Sequence, residues 1–177
     1  MGYKQPEDYG YDFTGWISPY TKGAHRGNSI ALVLQDWASD KKLLQGFNPS
    51  LQEHGRILEL TTNRRLTEII KAIFGVGIED TYITNAFPFI KPGNMSSTIP
   101  AKDVLAAAKE FLIAELNIAQ PKLILALGIQ AGSVLSTLGV AHVSVPHPAA
   151  RIGNTSAHIN KWTGLLNEHN SLGAITQ

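Results

Sequence analysis

Four short apolar runs, separated by segments of helical period, predict an α/β domain built on a parallel sheet. Three polar residues, Asp36, Asn85 and His147, stand where three of those runs end. In open sheets of this class, ligands bind beyond the carboxyl ends of the strands. A chain of 177 residues is long enough to bury a sizeable core, and it is read as one domain spanning 1–177.

The first 28 residues are rich in Tyr, Gly and Pro and show no period, so they read as an irregular arm packed by its aromatics. Ser29 to Leu34 is a continuous apolar run, a buried parallel strand that ends at Gln35-Asp36. The segment from Trp37 to about Thr62 carries Gly46, Asn48-Pro49 and Gly55 without a strong period, and reads as a long functional loop. Thr62-Asn63 opens a helix with Leu66, Ile69, Ile70 and Ile73 on one face, closed by Gly75 and Gly77.

Asp80 to Thr84 is the second strand and delivers Asn85-Ala86 to its end. A loop from Phe87 to Ile99 follows, with Lys91-Pro92-Gly93-Asn94 and Ser96-Ser97. Pro100 starts a helix along Leu105, Ala108, Leu112 and Leu116, and Pro121 stops it. Lys122 to Leu127 is the third strand. Gly128 turns the chain into a short helix closing at Gly139, and Ala141 to Val145 is the fourth strand. The last helix is amphipathic, through Ile159, Trp162 and Leu166. Strand–helix alternation implies right-handed βαβ crossovers.

Composition excludes several chemistries. The chain has no cysteine, so disulfides, thiolate-held clusters, a thiol nucleophile and Cys-based zinc sites are out. Apolar residues make up 44% and charged residues 16%, an ordinary globular balance. The net charge of +1 neither demands nor forbids a nucleic-acid partner, because a local basic patch suffices for phosphate contacts. No apolar run approaches the roughly 18 residues of a membrane span, and the N-terminus has no signal-peptide core. The expectation is a soluble, cytoplasmic monomer.

His147 lies in Val145-Pro146-His147-Pro148, where two prolines stiffen the backbone that carries the imidazole. Each candidate also has a plain structural reading: Asp36 as a turn cap, Asn85 as a strand-exit hydrogen bonder, His147 as a satisfied structural histidine. Three polar groups at three strand ends favour a site. Gly128 lacks the glycine-rich phosphate pattern, no G-x-S-x-G elbow is present, and His142 and His147 would point to opposite faces of a strand. Carboxylate, amide and imidazole together suit cleavage of a bond between a sugar and a base. The carboxylate positions water, the amide reads a base edge, and the histidine supports charge on the departing base.

In order and spacing, Leu34-Gln35-Asp36, Tyr82-Ile83-Thr84-Asn85-Ala86, Pro121 to Gly128, and Val145 to Pro148 resemble the motifs of the uracil-DNA glycosylase superfamily. The likeness runs from about Ser29 to His169. It implies a three-layer α/β/α sandwich around a four-stranded parallel sheet, and base excision from DNA without metal or cofactor. By position, Asp36 resembles the residue that orients the water and His147 the one that stabilises the leaving anion. Gln35 resembles the neighbour whose backbone contacts the base, and Asn85 the amide that reads uracil. Trp37 and Leu58 fall at substrate-facing positions, Leu58 where the family stacks an aromatic ring on the base.

Ser96, Ser97 and Gln130 are expected phosphate contacts, and Arg151 sits where the family presents a wedge to the duplex. The sequence departs from the pattern at Leu34, Trp37 and Ala38, where the family has Gly, then Pro and often Tyr or Gly. With Ala38 small, this motif does not by itself select uracil. Two other readings follow: a non-catalytic nucleic-acid binder on the same scaffold, signalled by a pocket plugged by Trp37, and a hydrolase of small N-glycosides. A basic groove along Lys91, Lys122 and Arg151 would count against the latter.

Overall fold

The structure, a computed structural model, describes residues 2–175. Four parallel strands form its sheet: β1 (Ile30–Asp36), β2 (Tyr82–Phe87), β3 (Leu123–Leu127) and β4 (Val143–Val145). Their order is β2-β1-β3-β4, which puts the apolar β1 and β3 in the middle. Strand side chains alternate between faces. Ala31, Val33, Ala86 and Ala126 face one layer of helices, α5 (Ala101–Ala107), α6 (Ile113–Ala119) and α7 (Ile129–Thr137). Leu32, Leu34, Ile83, Leu125 and Leu127 face the other, α4 (Thr61–Phe74) and α8 (Thr155–Ile175). The result is a three-layer α/β/α sandwich.

The helices follow their apolar spacing. α4 buries Leu66, Ile69 and Ile70 and ends where Gly75, at φ 71°, turns the chain. α5 and α6 are continuous through one π turn, Ala108–Leu112, and stop at Gln120 just before Pro121. Within that layer Glu115 is buried, and its carboxylate accepts from Thr84 Oγ1 at 2.7 Å and Tyr82 OH at 2.9 Å.

Three sequence expectations need correction. Residues 37–62 are not a structureless loop: α2 (Asp40–Leu43) and α3 (Pro49–His54) lie within them. Both are too short to show a period, and α3 is held by Asn48, whose side chain accepts from Ser50 N–H and Leu51 N–H. The arm contains a 3-10 turn, Pro6–Tyr9, and a short helix α1 (Pro19–Gly23). Its Tyr11 and Phe13 rings pack edge-on against Trp37, at 5.9 and 5.5 Å, in a third apolar cluster with Leu43, Leu51 and Ile90. Asp80 belongs to a 3-10 turn, so β2 begins only at Tyr82, and it runs on to Phe87, which puts Asn85 inside the strand rather than at its end.

Register positions the site. Leu34 pairs with Asn85 and Asp36 with Phe87. By alternation, Asp36 and Asn85 share the sheet face of Leu32, Leu34 and Ile83. Past the strand ends the two segments stay together, with Lys91 N–H donating to Ala38 O at 3.0 Å and Asp40 N–H to Lys91 O at 2.9 Å.

Candidate active site

A cavity of about 610 Å³ opens at the carboxyl ends of β1, β3 and β4. Asp36 and His147 both line it, as do Gln35, Trp37 and Gln130. The Asp36 carboxylate is held by a residue that sequence reading placed only in a prospective basic groove. Lys91 Nζ lies 3.1 Å from both carboxylate oxygens and donates to Met95 O at 2.7 Å. Lys91 is only 4% exposed, so the pair is a buried one. Burial pushes the Asp36 carboxyl above its ordinary range, and the Lys91 ammonium pulls in the opposite direction.

His147 rides on a backbone fixed from three sides. Arg65, on α4, donates to Pro148 O at 2.5 Å, and Trp162 Nε1, on α8, donates to Pro146 O at 3.0 Å. Ala150 N–H donates to His147 O at 2.8 Å. Ala149 N–H donates to His147 Nδ1 at 3.1 Å, which makes Nδ1 the acceptor and leaves the ring proton on Nε2. Burial, then the nearby His158, lowers the affinity of His147 for a second proton. The imidazole is therefore a neutral N–H donor.

Gly128 completes this mount. Its φ is 93°, a region that L side chains rarely adopt, and a Cβ there would sit 3.2 Å from His147 Cβ. Gly128→Ala is expected to cost about 1–3 kcal/mol in backbone strain and to displace the His147 ring. Thermal melts and the imidazole NMR shifts of His147 would check both effects.

The arm builds one wall. Ser18 caps α1, accepting from Tyr20 N–H, and its Oγ donates to Asn85 Oδ1 at 2.5 Å. Tyr20 lines the cavity, and burial, then the charge of Asp36, push its phenol up to about 12. Opposite α1, the chain after α3 crosses closely through glycines: a Cβ at Gly55 would fall 1.7 Å from Pro19 O. The next residue, Arg56, also lines the cavity.

The family model described as the uracil DNA glycosylase superfamily matches residues 38–168, most of the chain. The chain belongs to this superfamily. The match starts two residues after Asp36 and includes Lys91, Asn85 and His147. No individual curated protein matches the chain.

Set against the superfamily pattern, the expected site residues separate into two groups. Gln35, Asp36, Trp37, Gln130 and His147 border the one cavity. Trp37 does not plug it: its ring packs in the arm cluster and its Nε1 donates to Gly55 O at 2.7 Å. Asn85 is not part of the lining. It is 1% exposed beneath the arm, with Oδ1 engaged by Ser18 and Nδ2 without a partner among the described residues.

Leu58 also lies outside the cavity, because the turn after α3 turns Ile57 and Leu60 toward it instead. The arm adds an aromatic side chain to the wall, Tyr20, besides Trp37. Ser96 and Ser97 close a turn on Asn94: Ser96 Oγ donates to Asn94 Oδ1, and Ser97 Oγ accepts from Asn94 N–H. Arg151 is exposed, on the loop beyond Pro148. The basic groove that would count against small N-glycosides does not form. Lys91 is buried, and Lys122 precedes β3, at the sheet's opposite end from Arg151.

Lys91, Tyr20, Arg56 and Arg65 are the residues that sequence reading missed as site components. Lys91 carried one signal: it ends the apolar run Phe87-Pro88-Phe89-Ile90, an unusual place for a solvated lysine.

Proposed function

We propose that the protein is a glycosylase that hydrolyses the N-glycosidic bond of uracil, or a related deaminated base, flipped out of DNA. Family membership supports the reaction class. The observation that carries the reading is the shared cavity of Asp36 and His147, one an ion-paired carboxylate and the other a neutral N–H donor. As the bond to the base lengthens, the sugar carbon becomes electron-poor and the base takes up negative charge. Asp36 orients water toward that carbon and stabilises its positive charge, while His147 Nε2–H donates to the departing base. Lys91 keeps Asp36 ionised and aimed. Gln35 borders the base through its backbone, Tyr20 supplies an apolar ring face, and Asn85 acts through Ser18 on the placement of Tyr20.

Gln130 and Arg151 are the proposed DNA contacts of the rim, with Ser96 and Ser97 shaping the loop that carries Met95. The test is base release from uracil-containing single- and double-stranded oligonucleotides alongside free deoxyuridine. Faster release from either oligonucleotide supports the proposal. A second reading has a specific observation behind it, since Lys91 and Lys122 form no basic groove with Arg151: hydrolysis of small N-glycosides. Release from deoxyuridine with none from the oligonucleotides would establish that alternative.

A further inference from the structure

The cavity wall holds a charge that the proposed chemistry leaves unused. Arg56 is 7% exposed, yet no carboxylate comes within ion-pair distance of it among the described residues. Its Nη1 donates to Gly23 O at 3.2 Å, and its Nε is buried without any partner. Glu79 acts on it only from beyond ion-pair distance, and a buried guanidinium with no carboxylate in contact is costly, to which its missing hydrogen bonds add.

Its placement is fixed. A Cβ at Gly23 would lie 2.0 Å from His54 O and 3.0 Å from Arg56 Nη1, so α1 and the end of α3 cross with no room for a side chain. The surroundings are unbalanced too. The cavity lining carries three cations, Lys42, Arg56 and Lys91, against the single carboxylate of Asp36. Asp36 is already matched by Lys91, which leaves the Arg56 end positive. A volume of about 610 Å³ also leaves space beyond one pyrimidine ring.

We propose that Arg56 anchors an oxyanion subsite, so that the cavity takes a ligand bearing a carboxylate or phosphate on or next to its base. A planar guanidinium with an unfilled donor suits either group, and a charge-assisted hydrogen bond in a dry site is among the stronger ones. The inference rests on the reading of the cavity as a base site, and it deepens that reading by naming the ligand's second recognition element.

The experiment measures binding rather than turnover. Uracil, 5-carboxyuracil, deoxyuridine and deoxyuridine 5′-monophosphate are titrated into the intact protein by calorimetry, with amide NMR shifts at Ala149 reporting cavity occupancy. One anionic probe is expected to bind about tenfold or more tighter than its uncharged counterpart. An advantage for 5-carboxyuracil identifies a base substituent, and one for the monophosphate identifies a nucleotide phosphate. Arg56→Gln should remove the advantage, and Arg56→Lys, which keeps the charge without the fork, should retain only part of it.

The wild-type comparison stands even where a variant folds poorly. Uracil binding with no anionic advantage overturns the subsite and leaves the glycosylase reading intact. An advantage that survives Arg56→Gln overturns it as well, and so does binding of none of the four probes.

Discussion

Lys91→Met is expected to lower folding stability by about 3–5 kcal/mol, the range for removing one partner of a buried ion pair. The Asp36 carboxylate would be left in a mostly apolar cavity with its charge uncompensated. Its pH dependence has a defined sign. Burial raises the Asp36 carboxyl and Lys91 opposes that rise, so removing Lys91 moves proton uptake by Asp36 to higher pH. A carboxyl raised in the native state contributes stability at low pH that is lost as pH rises through its native titration.

The destabilisation in Lys91→Met should therefore be largest at neutral pH and shrink as the solution is acidified. The acid limb of kcat/KM should move upward with it. Denaturant melts at two pH values and a pH–rate profile measure both. Asp36→Leu combined with Lys91→Met should recover much of the lost stability, since the pair would then be removed as a unit. A single variant with wild-type stability and an unmoved acid limb would show that the pair is not what holds Asp36.

Lys91 also marks where sequence reading stops. The strands were legible because each is a short apolar run, and the helices because Leu66, Ile69 and Ile70, or Trp162 and Leu166, recur at helical spacing. Asp36 and His147 were legible because a parallel sheet exposes its strand ends and because two prolines bracket the histidine. The contact between Lys91 and Asp36 spans 55 positions and depends on the β1–β2 register continuing beyond the strands, which no local pattern encodes. The direction of Leu58 is not legible locally, because the end of α3, a helix too short to show a period, decides which residues of 55–60 face inward. Asn85 lies inside β2 rather than at its exit, because the strand runs on to Phe87, and the arm, read as irregular, lies over it and places Tyr20 in the wall.

His147→Ala is expected to lower kcat by about 10²–10³, the usual loss when one donor to a developing anion is removed, with KM changed far less. The ring is a neutral donor through Nε2, because Ala149 N–H occupies Nδ1. Burial and the neighbouring His158 disfavour its charged form, so its own titration should fall below the ordinary histidine range of about 6.5. That neutrality predicts flat activity through pH 7 on the His147 limb. The stability linkage runs the same way: the unfolded chain binds this proton more readily, so stability is present above the unfolded titration and lost as pH falls. His147→Gln, which keeps an N–H donor, should retain more activity than His147→Ala. Equal losses in the two variants, or an activity that tracks protonation of His147, would contradict a neutral donor.

The measurement closest to the central claim is single-turnover base release from a uracil-containing oligonucleotide by the wild-type protein and by Asp36→Asn. Asp36→Asn preserves the size of the side chain while removing the charge that orients water and matches the sugar cation. The account predicts release by the wild-type protein, a loss of about 10²–10⁴ in Asp36→Asn, and DNA binding retained in both. Equal release by the two proteins would contradict the assignment of Asp36 and, with it, the reading of this cavity as the place where the bond is broken.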